Sequence, residues 1–165
     1  MAELKVAFEK MGFSNVATYI QSGNVIFETK KHSERLLETK IEKAIGKSFD
    51  YKAKVVVRSF KAIERVIKSI PGSWAKDATK RYNVMFLRSS IDSKKILNEL
   101  EPKEAIETVI YKPGVLLWSA SISDLTRTAM VKLVRSQGIY QEMTMRNLNT
   151  TNKIFKLMKE RQLKR

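Results

Sequence analysis

The 165 residues include no cysteine, one histidine (His32), three prolines and six glycines. Without thiols there is no disulfide framework, no thiolate zinc site and no cysteine nucleophile. A single imidazole leaves little material for histidine metal sites or a Ser-His-Asp triad. No G-x-S-x-G, P-loop or G-x-G-x-x-G motif occurs. No apolar run approaches the roughly 20 residues that cross a bilayer. No signal peptide opens the chain, because Met1-Ala-Glu-Leu-Lys leads directly into an amphipathic pattern. These absences predict a cytoplasmic protein with no metal, no cofactor and no membrane partner.

Positive charge is abundant. Thirty-two Lys and Arg stand against 17 Asp and Glu, for a net charge of +15. Hydrophobic residues at 43% and charged residues at 30% are the proportions of a folded chain, not a disordered one. Residues 1–82 carry 17 basic and 9 acidic side chains and residues 83–165 carry 15 and 8, so the excess is distributed along the chain. Two concentrations stand out. Lys52, Lys54, Arg58, Lys61, Arg65 and Lys68 are opposed only by Glu64. Arg146, Lys153, Lys156, Lys159, Arg161, Lys164 and Arg165 are opposed only by Glu160 over the closing residues. Such a surface attracts polyanions, although a lysine-rich solvated face has the same composition.

Hydrophobic spacing gives the elements. Leu4, Ala7, Phe8 and Met11 mark a helix stopped by Gly12. Residues 16–28 form a hairpin about Gln21-Ser22-Gly23-Asn24. Leu37, Ile41, Ala44 and Ile45 mark a second helix ending near Gly46; Tyr51–Val57 alternates as a strand; Phe60, Ile63, Ile67 and Ile70 mark a third helix, ended by Pro71-Gly72-Ser73. The order then restarts. Strand 82–87, a helix on Ile96, Leu97 and Leu100, and strands 108–111 and 115–119 about Lys112-Pro113-Gly114 follow one another. Ser121 and Asp124 have capping-box spacing before a helix on Leu125, Ala129 and Leu133. A short strand at 143–145 precedes a last helix with Asn149 as its N-cap and Ile154, Leu157, Met158 and Arg161 on one side.

The second half reads β-α-β-β-α-β-α and the first α-β-β-α-β-α, so the two match if the first lacks its opening strand. The expected fold is α+β, with two ferredoxin-like (βαββαβ) halves bearing antiparallel sheets, at 1–72 and 73–165, and a C-terminal helix. A neighbour deprived of that strand has unpaired backbone groups, each buried one costing about 1–3 kcal/mol. Low stability or homo-oligomerisation through an exposed sheet edge is the expected consequence.

Two segments carry a resemblance. Val16-Ala-Thr-Tyr-Ile-Gln-Ser-Gly-Asn-Val-Ile-Phe27 and Met143-Thr-Met-Arg-Asn-Leu-Asn-Thr150 resemble signatures of the bacterial domain-of-unknown-function family 1697. The likeness extends over essentially the whole chain and implies a duplicated ferredoxin-like arrangement, but no activity. Leu148 stands where the resemblance would place Trp. The family's opening apolar strand and Gly-Ile-Asn-Val-Gly-Gly-like loop, an anion contact through backbone N–H groups, are absent from this sequence. Either the start codon lies upstream, or a partner or a rearranged sheet replaces the strand.

Three candidate sites follow. Gln21, Ser22 and Asn24 at the hairpin either face a ligand or serve the turn. Arg146, Asn147, Asn149 and Thr150 precede a helix, where an anion would meet free N–H groups; capping alone also explains the asparagines. Tyr82, Phe86 and Trp118 are either a base-stacking sheet surface or core, and no RNP1-like run accompanies them. Trp74, after Pro71-Gly72, is undecided between a covering role and an exposed contact. Glu34, Glu38 and Glu42, interleaved with Lys31, Arg35, Lys40 and Lys43, read as a salt-bridged solvent face. His32, in a polar connection, reads as exposed.

The sequence therefore favours a non-enzymatic basic module that binds RNA, DNA or another polyanion through Lys52, Lys54, Arg58, Lys61, Lys153 and Lys156. The alternative is a small-anion-binding protein or enzyme built on Arg146, Asn147 and the Gln21–Asn24 hairpin.

Overall fold

In the computed structural model, which describes residues 1–30, 33–135 and 137–163, the chain folds into two compact units. One comprises Met1–Ser59 with Lys156–Arg165, and the other Phe60–Phe155. The described residues from Lys156 onward group with the first unit. His32, Lys31, Lys164 and Arg165 lie outside the described residues.

The first unit opens with helix α1 (Ala2–Lys10), which ends at Gly12 in a left-handed conformation, φ +85°. Strands β1 (Ser14–Tyr19) and β2 (Asn24–Glu28) form the expected hairpin, with an irregularity between Ser14 and Ala17. Helix α2 (Glu34–Phe49) begins where the Ser33 hydroxyl accepts the Leu36 N–H at 3.2 Å. It runs through Gly46 and stops at Asp50, φ +48°. Phe8, Phe13, Val16, Leu37, Ile41 and Ile45 are the core, with Val25, Phe27, Ala53, Val55 and Val57 packed against it. The Phe13 and Phe27 rings lie 4.4 Å apart, and Phe8 meets Phe27 edge-on at 5.4 Å.

Residues 51–57 are extended but belong to no sheet, which corrects the expected strand. Their partner is helical. Glu42 Oε1 accepts the Val55 N–H at 2.9 Å, Glu38 Oε1 accepts Val57 at 3.0 Å, and Glu34 Oε1 accepts Ser59 at 2.8 Å. The geometry matches because four helical residues advance about 6 Å while two extended residues advance about 6.6 Å. Carboxylates at i, i+4 and i+8 thus meet every second amide of an antiparallel segment. The three glutamates are not a solvent face, and Glu38 is buried. Lys40, expected among their partners, donates instead to the Met11 carbonyl and sits over the Phe13 ring.

The second unit contains helix α3 (Phe60–Ser69), strand β3 (Lys80–Leu87), helix α4 (Ile96–Leu100) and the hairpin β4 (Glu107–Lys112) and β5 (Val115–Ser121). A 3₁₀ turn (Ile122–Arg127), helices α5 (Ala129–Arg135) and α6 (Gln137–Gln141), and strand β6 (Met143–Asn147) complete it. Helix α7 (Leu148–Gln162) starts in this unit and ends in the other. The sheet order β4-β5-β3-β6, antiparallel throughout, is the ferredoxin-like order with the opening strand β3 inside. The first unit has no counterpart of β3 among the described residues. The Ser121 capping box does not form: its hydroxyl bonds Ser123, and Glu107 accepts the first amide of α5, Ala129 N–H, at 2.8 Å.

One face of the four-stranded sheet, with Met85, Leu87, Leu116, Trp118 and Met143, packs on Ile96 and Leu100 of α4 and on Met130 and Leu133 of α5. The register opposes Trp118 to Asn83 and Tyr82 to Ser119, so Trp118 lies on the opposite face from Tyr82 and Phe86. Phe86 and Trp118 are both buried, which closes the reading of these three rings as one base-stacking surface.

Candidate functional site

The basic candidates are best organised on helices. On α3, Ala62, Ile63 and Val66 are buried, so Lys61, Arg65 and Lys68, at i, i+4 and i+7, share the outward face. All three are exposed. The acidic residue beside them, Glu64, meets Lys68 at 3.3 Å, but Lys68 remains 71% exposed and such a pair is well screened. On α7, Lys153, Lys156 and Lys159 recur every third residue on the exposed side, followed by Glu160. Lys52 and Lys54 are exposed on the extended segment, where they alternate with the partly buried Ala53 and Val55.

Arg58 is different from its neighbours in sequence. Its side chain is 12% exposed, 3.4 Å from Glu34 and 3.7 Å from Glu38, and its Nη1 donates to the Val57 carbonyl at 2.7 Å. Most of its charge is answered inside its own unit.

The hairpin residues mainly close their own turn. Asn24 Nδ2 donates to the Tyr19 carbonyl at 3.1 Å and to Ser22 Oγ at 2.9 Å, and Asn24 is buried. Gly23 has φ +75°. Gln21 and Ser22 are exposed, as is Ile20, which holds φ +51°.

Arg146, Asn147, Asn149 and Thr150 follow one another at the β6–α7 junction, where Arg146 and Asn147 alternate to opposite faces of the sheet. Arg146 opposes Val84 in the sheet and is partly buried. Its Nη1 donates to Thr144 Oγ1 and to the Met145 carbonyl, both at 2.7 Å. Burial draws its guanidinium below the ordinary arginine range, with Tyr140 acting in the opposite sense. Asn147, not Asn149, is the N-cap: its Oδ1 accepts the Thr150 N–H at 2.7 Å. The amide that an anion would use is therefore already bonded. Asn149 is exposed beside it. The hairpin belongs to the first unit and this junction to the second.

Two features escaped the sequence. The Trp74 and Tyr82 rings lie 5.1 Å apart; the only signal was a tryptophan in a polar connection. Glu107 is a buried carboxylate bonded to Lys103 N–H, Ala129 N–H and Trp118 Nε1. Nothing in its spacing marked it. Among the described residues no group of three His, Cys, Asp or Glu is placed to hold a metal ion, and no helix is long and apolar enough to cross a membrane.

The comparisons agree with this architecture. A family model described as "Protein of unknown function (DUF1697)" matches residues 1–118. The chain is similar to a solved structure, the conserved bacterial protein SP0830 from Streptococcus pneumoniae, at 24% identity and a TM-score of 0.76, covering 96% of this chain and 88% of that one. That likeness concerns the fold. No curated protein matches the sequence.

Proposed function

We propose a nucleic-acid-binding role for this protein, which belongs to the family of unknown function DUF1697. In this reading it is a non-enzymatic cytoplasmic module that holds RNA or DNA by its phosphates. The observation that carries it is the outward face of α3, where Lys61, Arg65 and Lys68 are all exposed along one side of the helix. Lys153 and Lys156 on α7 present the same chemistry. Ammonium and guanidinium groups at that spacing displace counterions from a phosphate chain without reading sequence. The small-anion alternative is weaker, because Asn147 bonds the Thr150 amide and Asn24 bonds its own turn.

The test is fluorescence anisotropy with labelled RNA and DNA across a salt series. Binding is expected to weaken linearly in log–log form, with a slope of about −0.9 per phosphate on duplex DNA. The paired variant Lys61→Glu/Arg65→Glu reduces both affinity and slope, as does Lys153→Glu/Lys156→Glu. Absence of binding near physiological salt, or binding indifferent to both variants, overturns the reading.

A further inference from the structure

Residues 71–80 connect α3 to β3 by consecutive tight turns. Trp74 N–H donates to the Pro71 carbonyl at 2.9 Å, Lys76 N–H to Ser73 at 3.4 Å, and Lys80 N–H to Asp77 at 3.3 Å. The Asp77 carboxylate accepts both the N–H and the hydroxyl of Thr79. Ala75 is held at φ +66°, a conformation that alanine rarely adopts. Consecutive turns thus shape this polar connection and with it the position of Trp74. That indole lies against the Tyr82 ring, centroids 5.1 Å apart and planes inclined at 42°.

Both rings stay partly open to solvent, unlike Trp118 and Phe86 of the same unit. Lys76 and Lys80, close to them in the chain, are exposed, and Lys80 alternates onto the same side of β3 as Tyr82. Asp77, the one carboxylate in this stretch, accepts from Thr79 and also lies within electrostatic reach of Lys80, so Lys76 carries the less opposed charge. Aromatic faces beside solvated cations are the combination that single-stranded nucleic acids meet in their binding grooves: any base stacks on a ring, and phosphates pair with the cations. A duplex keeps its base faces against one another and gains nothing from the rings.

We propose that Trp74 and Tyr82 form a stacking platform for unpaired bases of a single-stranded nucleic acid, with Lys76 and Lys80 holding the adjoining phosphates. The proposal rests on the nucleic-acid reading above and specifies the form of the ligand. It requires no motion, since the turns already present the rings.

The experiment uses the full chain and its own fluorescence. Of the two tryptophans, Trp118 is 2% exposed, so Trp74 reports contact with added bases. Titration with oligo-uridine or oligo-deoxythymidine is expected to quench emission, and a duplex of equal length is not. Trp74→Ala weakens single-strand binding by roughly tenfold with duplex affinity unchanged. Trp74→Phe, which preserves a ring and the local packing, retains most of the affinity and loses the quenching. Equal binding of single strand and duplex without quenching, unaltered in Trp74→Phe but lost in Lys61→Glu/Arg65→Glu, overturns the platform and leaves the phosphate-binding role standing. No binding of either ligand overturns both.

Discussion

The Glu38 carboxylate accepts the Val57 amide hydrogen at 3.0 Å while standing 3.7 Å from the Arg58 guanidinium. One buried side chain thereby does for an extended segment what a neighbouring strand's carbonyl does in a sheet, and anchors a cation as well. Glu42 and Glu34 repeat the backbone contact one helical turn to either side. The amides of Val55, Val57 and Ser59 are thereby bonded without a strand beside them.

Removing that anchor leaves the partly buried Val57 amide without its acceptor and Arg58 without one of its two carboxylates. Glu38→Ala is expected to destabilise the protein by about 2 kcal/mol, the scale of losing a hydrogen bond to a charged acceptor. Glu38→Gln keeps an oxygen for Val57 and loses the charge opposite Arg58, for about 1–2 kcal/mol. Urea denaturation of the full chain measures both. A Glu38→Ala loss below about 0.5 kcal/mol, the size of an ordinary surface substitution, refutes the role given to the ladder.

Glu107 offers a second buried carboxylate with a spectroscopic handle. Its Oε2 takes the Trp118 indole N–H at 2.8 Å, and its Oε1 takes the Ala129 amide at the start of α5 at 2.8 Å and the Lys103 amide at 2.9 Å. Glu107→Ala orphans three donors at once. A loss of about 3 kcal/mol or more is expected, at roughly 1 kcal/mol or more for each donor left unpaired. Trp118 emission shifts to the red as water enters. Unchanged emission in a folded variant contradicts this account.

The second half was largely legible because its strands alternate and its turns are marked: Lys112-Pro113-Gly114 fixes one hairpin, and Leu97, Leu100 and Leu133 mark helical faces at their expected spacing. The first hairpin was equally plain from Ser22-Gly23-Asn24. What escaped were relations between segments distant in sequence. Glu34, Glu38 and Glu42 have the spacing of a solvent face, and only the arrival of Val55, Val57 and Ser59 turns them inward. Asn149 has the residue type of a cap, but β6 runs to Asn147 and it is Asn147 that caps α7. Of the candidate site, the exposed lysines of α3 and α7 follow from helical periodicity. Arg58 has the same composition signal and a different fate, because its partners lie 20 and 24 residues earlier.

Tyr111 gives a pH prediction. Its hydroxyl donates to Asp92 Oδ1 at 3.0 Å, and the Gly114 N–H donates to the same oxygen at 2.8 Å. Desolvation first, and then the Asp92 carboxylate, raise the phenol above its ordinary value of 10.0. The folded state prefers the neutral phenol, so its contribution is complete below pH 10 and is withdrawn as pH climbs through the raised value. The stability difference between wild type and Tyr111→Phe should therefore hold up to about pH 10 and shrink above it. A difference that grows there contradicts the assignment.

Ile20 tests the hairpin itself. It is a β-branched residue at φ +51° and is 47% exposed, so it bears a left-handed backbone with little burial in return. For an L-residue with a Cβ that conformation costs about 1–2 kcal/mol, and Asn is among the few types that tolerate it. The same hairpin already uses Asn15 at φ +49°. Ile20→Asn is expected to raise stability by about 1 kcal/mol, close to 3 °C in melting temperature for a chain of this size. If the variant is instead destabilised, the buried half of the Ile20 side chain contributes more through packing than the left-handed backbone costs, and the turn is not held under net strain. If it is stabilised while oligonucleotide affinity is unchanged, the left-handed backbone costs more than the Ile20 packing returns and the residue has no part in the proposed binding.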